Sequence, residues 1–133
     1  MDPVKKLGAK EIQGVLNTDG PTRYAHFVKQ VADWQQVWGL RESDAWVSVS
    51  DESGIPMFPV WPHPHYARLA AIDGWENAAP ASIEVHEWVQ TWLPGLTADG
   101  SMIAVFPTPK LNGVVVTPEM LRTDIENELA KLE

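Results

Sequence analysis

The residues best able to do chemistry in this chain lie together in Trp61-Pro62-His63-Pro64-His65-Tyr66, which holds two of the four histidines. Two imidazoles at His-x-His spacing can share a metal ion, because a neutral ring nitrogen is the commonest protein metal ligand. A site built on His63 and His65 would support a metal-assisted hydrolase, but it needs a third ligand. His86, Glu87 or Asp73 could supply one only if folding brought them close. No His-Glu-x-x-His or comparable ligand spacing is present. The competing reading, which we favour, places His63 and His65 around the N-terminus of a helix held by two prolines. His86-Glu87 would suit acid–base work, yet adjacent helical residues do not face each other, so both are expected on an exposed side. There is no Gly-x-Ser-x-Gly elbow, no glycine-rich phosphate loop and no Cys. Serine and thiol nucleophiles and phosphate cradles therefore have no basis here. No catalytic residue is assigned, and no metal or cofactor is expected.

Tryptophan is the other chemical resource, with 7 Trp beside 2 Tyr and 3 Phe. Trp34, Trp38, Trp88 and Trp92 recur at helical spacing and are expected in the core. Trp46, Trp61 and Trp75 sit on a strand face or beside loops, where an indole is often half exposed. Trp61, His63, His65, Tyr66 and Trp75 thus form the candidate binding surface for a protein partner or a small ligand.

The elements that must position these groups follow from periodicity. Ile12, Val15 and Leu16 mark a short helix weakened by Gly8 and Gly14, and Asn17 to Pro21 turns into the next one. The apolar stripe Tyr24, Phe27, Val28, Val31, Trp34 and Trp38 predicts a helix over 22–38, closed by Gly39, with Arg23 on the polar side. Alternation over 45–50 predicts a half-buried strand, and 55–61 a second that Pro56 and Pro59 make either an edge or irregular. A third helix follows Pro64 and stops by Gly74. A brief strand at 81–84 leads to an amphipathic helix through Val85, Trp88, Val89, Trp92 and Leu93, broken at Pro94-Gly95. The continuous apolar run 102–106 predicts an internal strand, with 113–116 as its partner. Thr117-Pro118-Glu119 then opens a helix whose buried face is Leu121, Ile125, Leu129 and Leu132, with Arg122 and Glu126 paired outside. The expected fold is α+β, a mainly antiparallel sheet of four to five short strands covered by amphipathic helices. Residues 1–133 read as a single domain, in which 1–20 is a loosely held segment with a short helix.

Charge narrows the partners. With 10 basic and 18 acidic residues the net charge is −8, which argues against nucleic acid and against anionic membrane surfaces. No apolar run of signal-peptide or membrane-spanning length occurs, so a cytoplasmic protein is expected. The acidic excess aids solubility and could also steer a basic protein partner.

Several segments match, in order, a family of small bacterial proteins. They are Arg23-Tyr24 with Phe27-Val28, Pro59 to Ala67, Leu93-Pro94-Gly95-Leu96, Val105 to Pro109, and Gly113 to Glu119. On these the chain resembles the family catalogued as domain of unknown function 2750, from about residue 10 to the end. The resemblance implies a stand-alone domain without assigned catalytic residues. A more remote likeness in layout links it to the enhanced-serine-sensitivity protein B domain and to some toxin-immunity proteins, an analogy of fold alone.

The reading that results is a non-enzymatic domain binding a protein or a small ligand, with an immunity-type role against a basic toxin as a specific version. The enzymatic alternative is the hydrolase on His63 and His65. A third reading is a homodimer formed through an edge strand or an exposed aromatic patch.

Overall fold

The computed structural model describes residues 6–72, 74–109 and 111–132. Asp73, one of the third-ligand candidates, and the start of the N-terminal segment lie outside them. The helices are α1 (Ala9–Leu16), α2 (Gly20–Trp34), α3 (Pro64–Leu69), α4 (Val85–Glu87), α5 (Leu93–Ala98) and α6 (Pro118–Ala130). The strands are β1 (Gln36–Glu42), β2 (Ala45–Trp46), β3 (Val49–Ser50), β4 (Pro56–Val60), β5 (Ala79–Glu84), β6 (Met102–Val105) and β7 (Val114–Val116).

The fold is α+β, with strands in the orders β2-β1-β5 and β3-β4-β6-β7. Every pairing is antiparallel except β4 with β6. An antiparallel bridge joins the two sheets, with Trp38 N–H donating to Trp61 C=O at 2.9 Å and Trp61 N–H to Trp38 C=O at 2.8 Å. Where one sheet of four to five strands was expected there are two, of three and four strands, because the 45–50 segment divides into β2 and β3 and β1 forms where a helix was predicted.

Several local signals act as read. Asp19 caps α2 by accepting from Thr22 N–H, and Thr117 caps α6 by accepting from Met120 N–H. Arg122 Nε lies 3.3 Å from Glu126 Oε1 across one turn of α6. α1 forms with no fully buried residue, while Ile12, Val15 and Leu16 rest half-buried on the core.

Other expectations are corrected. The helix predicted to Trp38 ends at Trp34, where Gln35 adopts φ 59° and the chain turns into β1. Trp38 is therefore a strand residue, and six consecutive register pairs with β5, Gln36 with Glu84 through Arg41 with Ala79, replace the helical bonds. Gly39 closes no helix. A Cβ there would meet the Trp46 ring at 3.0 Å, so its missing side chain lets the indole pack close against β1. Arg23, assigned to the polar side of α2, is buried instead.

β4 is a regular central strand, although two prolines predicted an edge or an irregular one. Pro56 is its first residue, where a missing donor costs little. Successive residues bond to opposite sides. Val60 C=O accepts from Phe106 N–H on the β6 side and Trp61 bonds Trp38 on the other. Pro59 shares the side of Trp61, beyond the register pairs of β3 at Met57 and Pro56, so no ladder bond is lost. Pro94 does not break its helix either. A π-helical turn at Trp88–Trp92, with Leu93 N–H donating to Trp88 C=O, carries the chain into α5, where Pro94 sits in the first turn. Leu132, expected on the buried face of α6, is 55% exposed.

One apolar cluster gathers residues from α2 through α6. Its aromatic heart is Phe58, whose ring centroid lies 5.9, 5.8 and 5.7 Å from Trp46, Trp88 and Trp92. Trp88 is fully buried, and Trp34, Trp38, Trp46, Trp75 and Trp92 are half-buried. Trp61, expected half exposed, is fully buried. Most of the tryptophan therefore serves packing.

Candidate functional site

The five residues singled out in the sequence fall into two neighbourhoods. His63 is the N-cap of α3, its Nδ1 accepting from His65 N–H at 3.1 Å. Its ring stands edge-on to Trp34 at 5.7 Å and to Tyr66 at 6.2 Å, and the His65 ring lies 6.4 Å from Tyr66. His63 and Tyr66 are buried and His65 is half-buried. Both histidines thus sit at the N-terminus of a helix, as favoured from the two prolines, and the cap that His63 makes there occupies a ring nitrogen that a metal site could have used. Among the described residues, no three His, Cys, Asp or Glu side chains come together to hold a metal ion.

The Tyr66 hydroxyl is buried with no hydrogen-bond partner among the described residues. Burial first, and then the nearby negative Glu11, push its pKa up to about 12. His86 turns to Glu84, with Nδ1 2.6 Å from Oε2, while the same carboxylate caps α4 by accepting from the His86 and Glu87 amides. Partial burial raises the Glu84 pKa, but those hydrogen bonds outweigh it and hold the carboxyl below its ordinary range. As expected, His86 and Glu87 are exposed and do not pair with each other.

Trp61 and Trp75 belong to the second neighbourhood, their rings 6.5 Å apart and nearly perpendicular. Trp75 lines an open groove of about 840 Å³ on the four-stranded sheet. The alternation of side chains explains it. Phe58, Val60, Ile103, Val105 and Val116 point into the core, which leaves Met57, Pro59, Ala104 and Val115 on the other face. Register places Pro59, Ala104 and Val115 side by side on adjacent strands. Ala70, Ile72 and Trp75 form one wall, and Pro107 to Pro109 with Leu111 to Gly113 form the other.

That second wall is held from inside the protein. Phe106, fully buried, takes φ 58°, a conformation costly for a bulky residue unless its neighbours enforce it. They do so from both sides of its peptide. Phe106 N–H donates to Val60 C=O at 2.8 Å and Phe106 C=O accepts from Arg23 Nε at 3.4 Å. The same guanidinium donates to Thr18 C=O at 2.8 Å and Asn112 C=O at 3.3 Å, and Trp61 Nε1 donates to Pro107 C=O at 2.7 Å. At Gly113 an added Cβ would meet Val105 C=O at 3.0 Å, so glycine lets the wall return tightly onto β6.

The groove's floor escaped sequence reasoning because Met57, Pro59, Ala104 and Val115 come from three strands. A signal was present: the 102–106 run is apolar on both faces, the mark of a strand covered on both sides. Ile103, Ala104 and Val105 are all buried, and the groove opens over that second face where Met57 is half-buried and Val115 is exposed.

The model of one protein family matches residues 24–125. The chain belongs to the family described as Protein of unknown function (DUF2750). The match spans the groove floor, both walls and α3, whereas α1 and Arg23 lie before it. No curated protein and no solved structure matches the chain significantly. Among the described residues, no helix is long and apolar enough to cross a membrane.

Proposed function

We propose that this member of the family is a non-enzymatic binding domain and that the groove on the four-stranded sheet receives its ligand. One observation carries the reading: a groove opens between two walls over the second face of the sheet, with Pro59 and Ala104 buried at its floor, Met57 half-buried and Val115 exposed. Ile72, Leu111 and Val115, three of the large apolar side chains that are exposed, line that groove. Contiguous apolar surface of this kind marks interaction sites more often than scattered exposed side chains do. The volume falls in the range of pockets that take small ligands or a few residues of a partner. Trp75 is the residue shared with the surface read from the sequence. Trp61 supports the wall, while His63 and Tyr66 build the helix start behind it.

Amide NMR spectra of the full chain, recorded with a library of neutral apolar fragments, test this. Shifts concentrated at residues 57, 104, 111 and 115 are expected. Shifts confined to residues 63–66, or none with any fragment, would overturn the reading.

A further inference from the structure

Resting on that reading, we propose that the groove's occupant is an extended segment of another protein, with apolar side chains leading to a Lys or Arg at the Asp51–Glu52 end. The groove crosses β3, β4, β6 and β7, three inter-strand steps. At roughly 4.8 Å per step that is about 14 Å, the reach of about four residues of extended chain. The floor and both walls are apolar along most of this path, which suits alternate side chains of such a segment.

Charge sets the direction. The ionised side chains among the described lining residues are both carboxylates, Asp51 and Glu52, in the turn between β3 and β4. Asp51 Oδ1 already accepts from Ser53 N–H at 2.8 Å and Ile55 N–H at 2.9 Å, which fixes the turn. Its other oxygen and the exposed Glu52 carboxylate have no partner among the described residues and are available to a cation. The −8 net charge adds a field that draws basic segments and repels acidic ones. A neutral small molecule would fill the apolar floor and leave these carboxylates unused.

The test selects random heptapeptides displayed on phage against the full chain, then measures the enriched sequences as synthetic peptides. Enriched peptides are expected to place Lys or Arg at one end of an apolar stretch and to weaken as salt rises. Asp51→Asn with Glu52→Gln keeps the turn's acceptor oxygen and removes both charges, and should weaken binding about tenfold. Leu111→Gln with Val115→Gln, both at exposed positions, should abolish it. Peptides lost in the second variant but unaffected by the first would overturn the proposed occupant and leave the groove standing. Peptides unaffected by the second variant would overturn the groove itself. Enrichment of acidic sequences, or failure of any peptide to bind a groove that takes apolar fragments, would also overturn the occupant.

Discussion

The indole of Trp61 donates its N–H to the carbonyl of Pro107 at 2.7 Å, so a fully buried residue just past β4 fixes one wall of the surface groove. Replacing Trp61 with Phe keeps much of the ring and removes the donor. The loss of packing volume and of one buried hydrogen bond should cost about 2–3 kcal/mol. Urea unfolding measures the cost. Faster amide exchange at Thr108 and Leu111 should accompany it, and unchanged exchange there would show that the wall does not depend on this bond.

Arg23 reaches three carbonyls that diverge around its planar head. A lysine ammonium cannot serve all three from one point, so Arg23→Lys should recover little of the stability lost in Arg23→Met. Both variants are expected to lose about 2–3 kcal/mol, since the buried Phe106 carbonyl and two partly buried ones lose their shared donor. Unfolding curves for Arg23→Lys that overlay the parent would contradict the clamp.

Tyr24 Oη donates to Asp124 Oδ2 at 2.5 Å and ties α2 to α6. Burial, then the hydrogen bond to Asp124 and that residue's negative charge, hold the Tyr24 pKa far above its ordinary 10.0. A folded-state pKa raised in this way contributes stability that is fully present below about pH 10 and is lost as pH rises toward the folded value. Tyr66, up to about 12, acts in the same direction. Stability measured from pH 8 to 11 should therefore fall at the alkaline end, and Tyr24→Phe should flatten the fall. A flat profile in the parent protein would refute this.

Tyr66 is the opposite case, a buried hydroxyl with no partner among the described residues. Removing an unsatisfied polar group while keeping the ring removes its desolvation cost. Tyr66→Phe is expected to leave stability unchanged or to raise it by about 1 kcal/mol. A loss of more than about 1 kcal/mol in thermal or chemical unfolding would mean that the hydroxyl has a partner after all.

Much of the scaffold was legible because its signals are local. Asp19-Gly20-Pro21 and Thr117-Pro118 announce helix starts through side-chain caps and proline geometry. The β6 strand showed as an unbroken apolar run. What escaped depends on contacts between distant segments. Trp34 and Trp38 keep helical spacing whether or not the helix continues, and the left-handed residue that ends it is Gln35, not a glycine. The centrality of β4 rests on where its neighbours bond relative to Pro59. Arg23 looked solvated because its acceptors, Phe106 and Asn112, lie more than 80 positions away. The groove escaped for the same reason, and the histidine pair drew attention because its residues are adjacent in sequence.

Met57 lies on the floor of the groove, while Met120 stands exposed on α6, outside it. With both methyl groups carbon-13 labelled, titration with a display-selected peptide reads the central proposal directly. The Met57 methyl should shift and saturate as the complex forms, and the Met120 methyl should stay in place. An unmoved Met57, with the ring protons of His63 and His65 shifting instead, would contradict it.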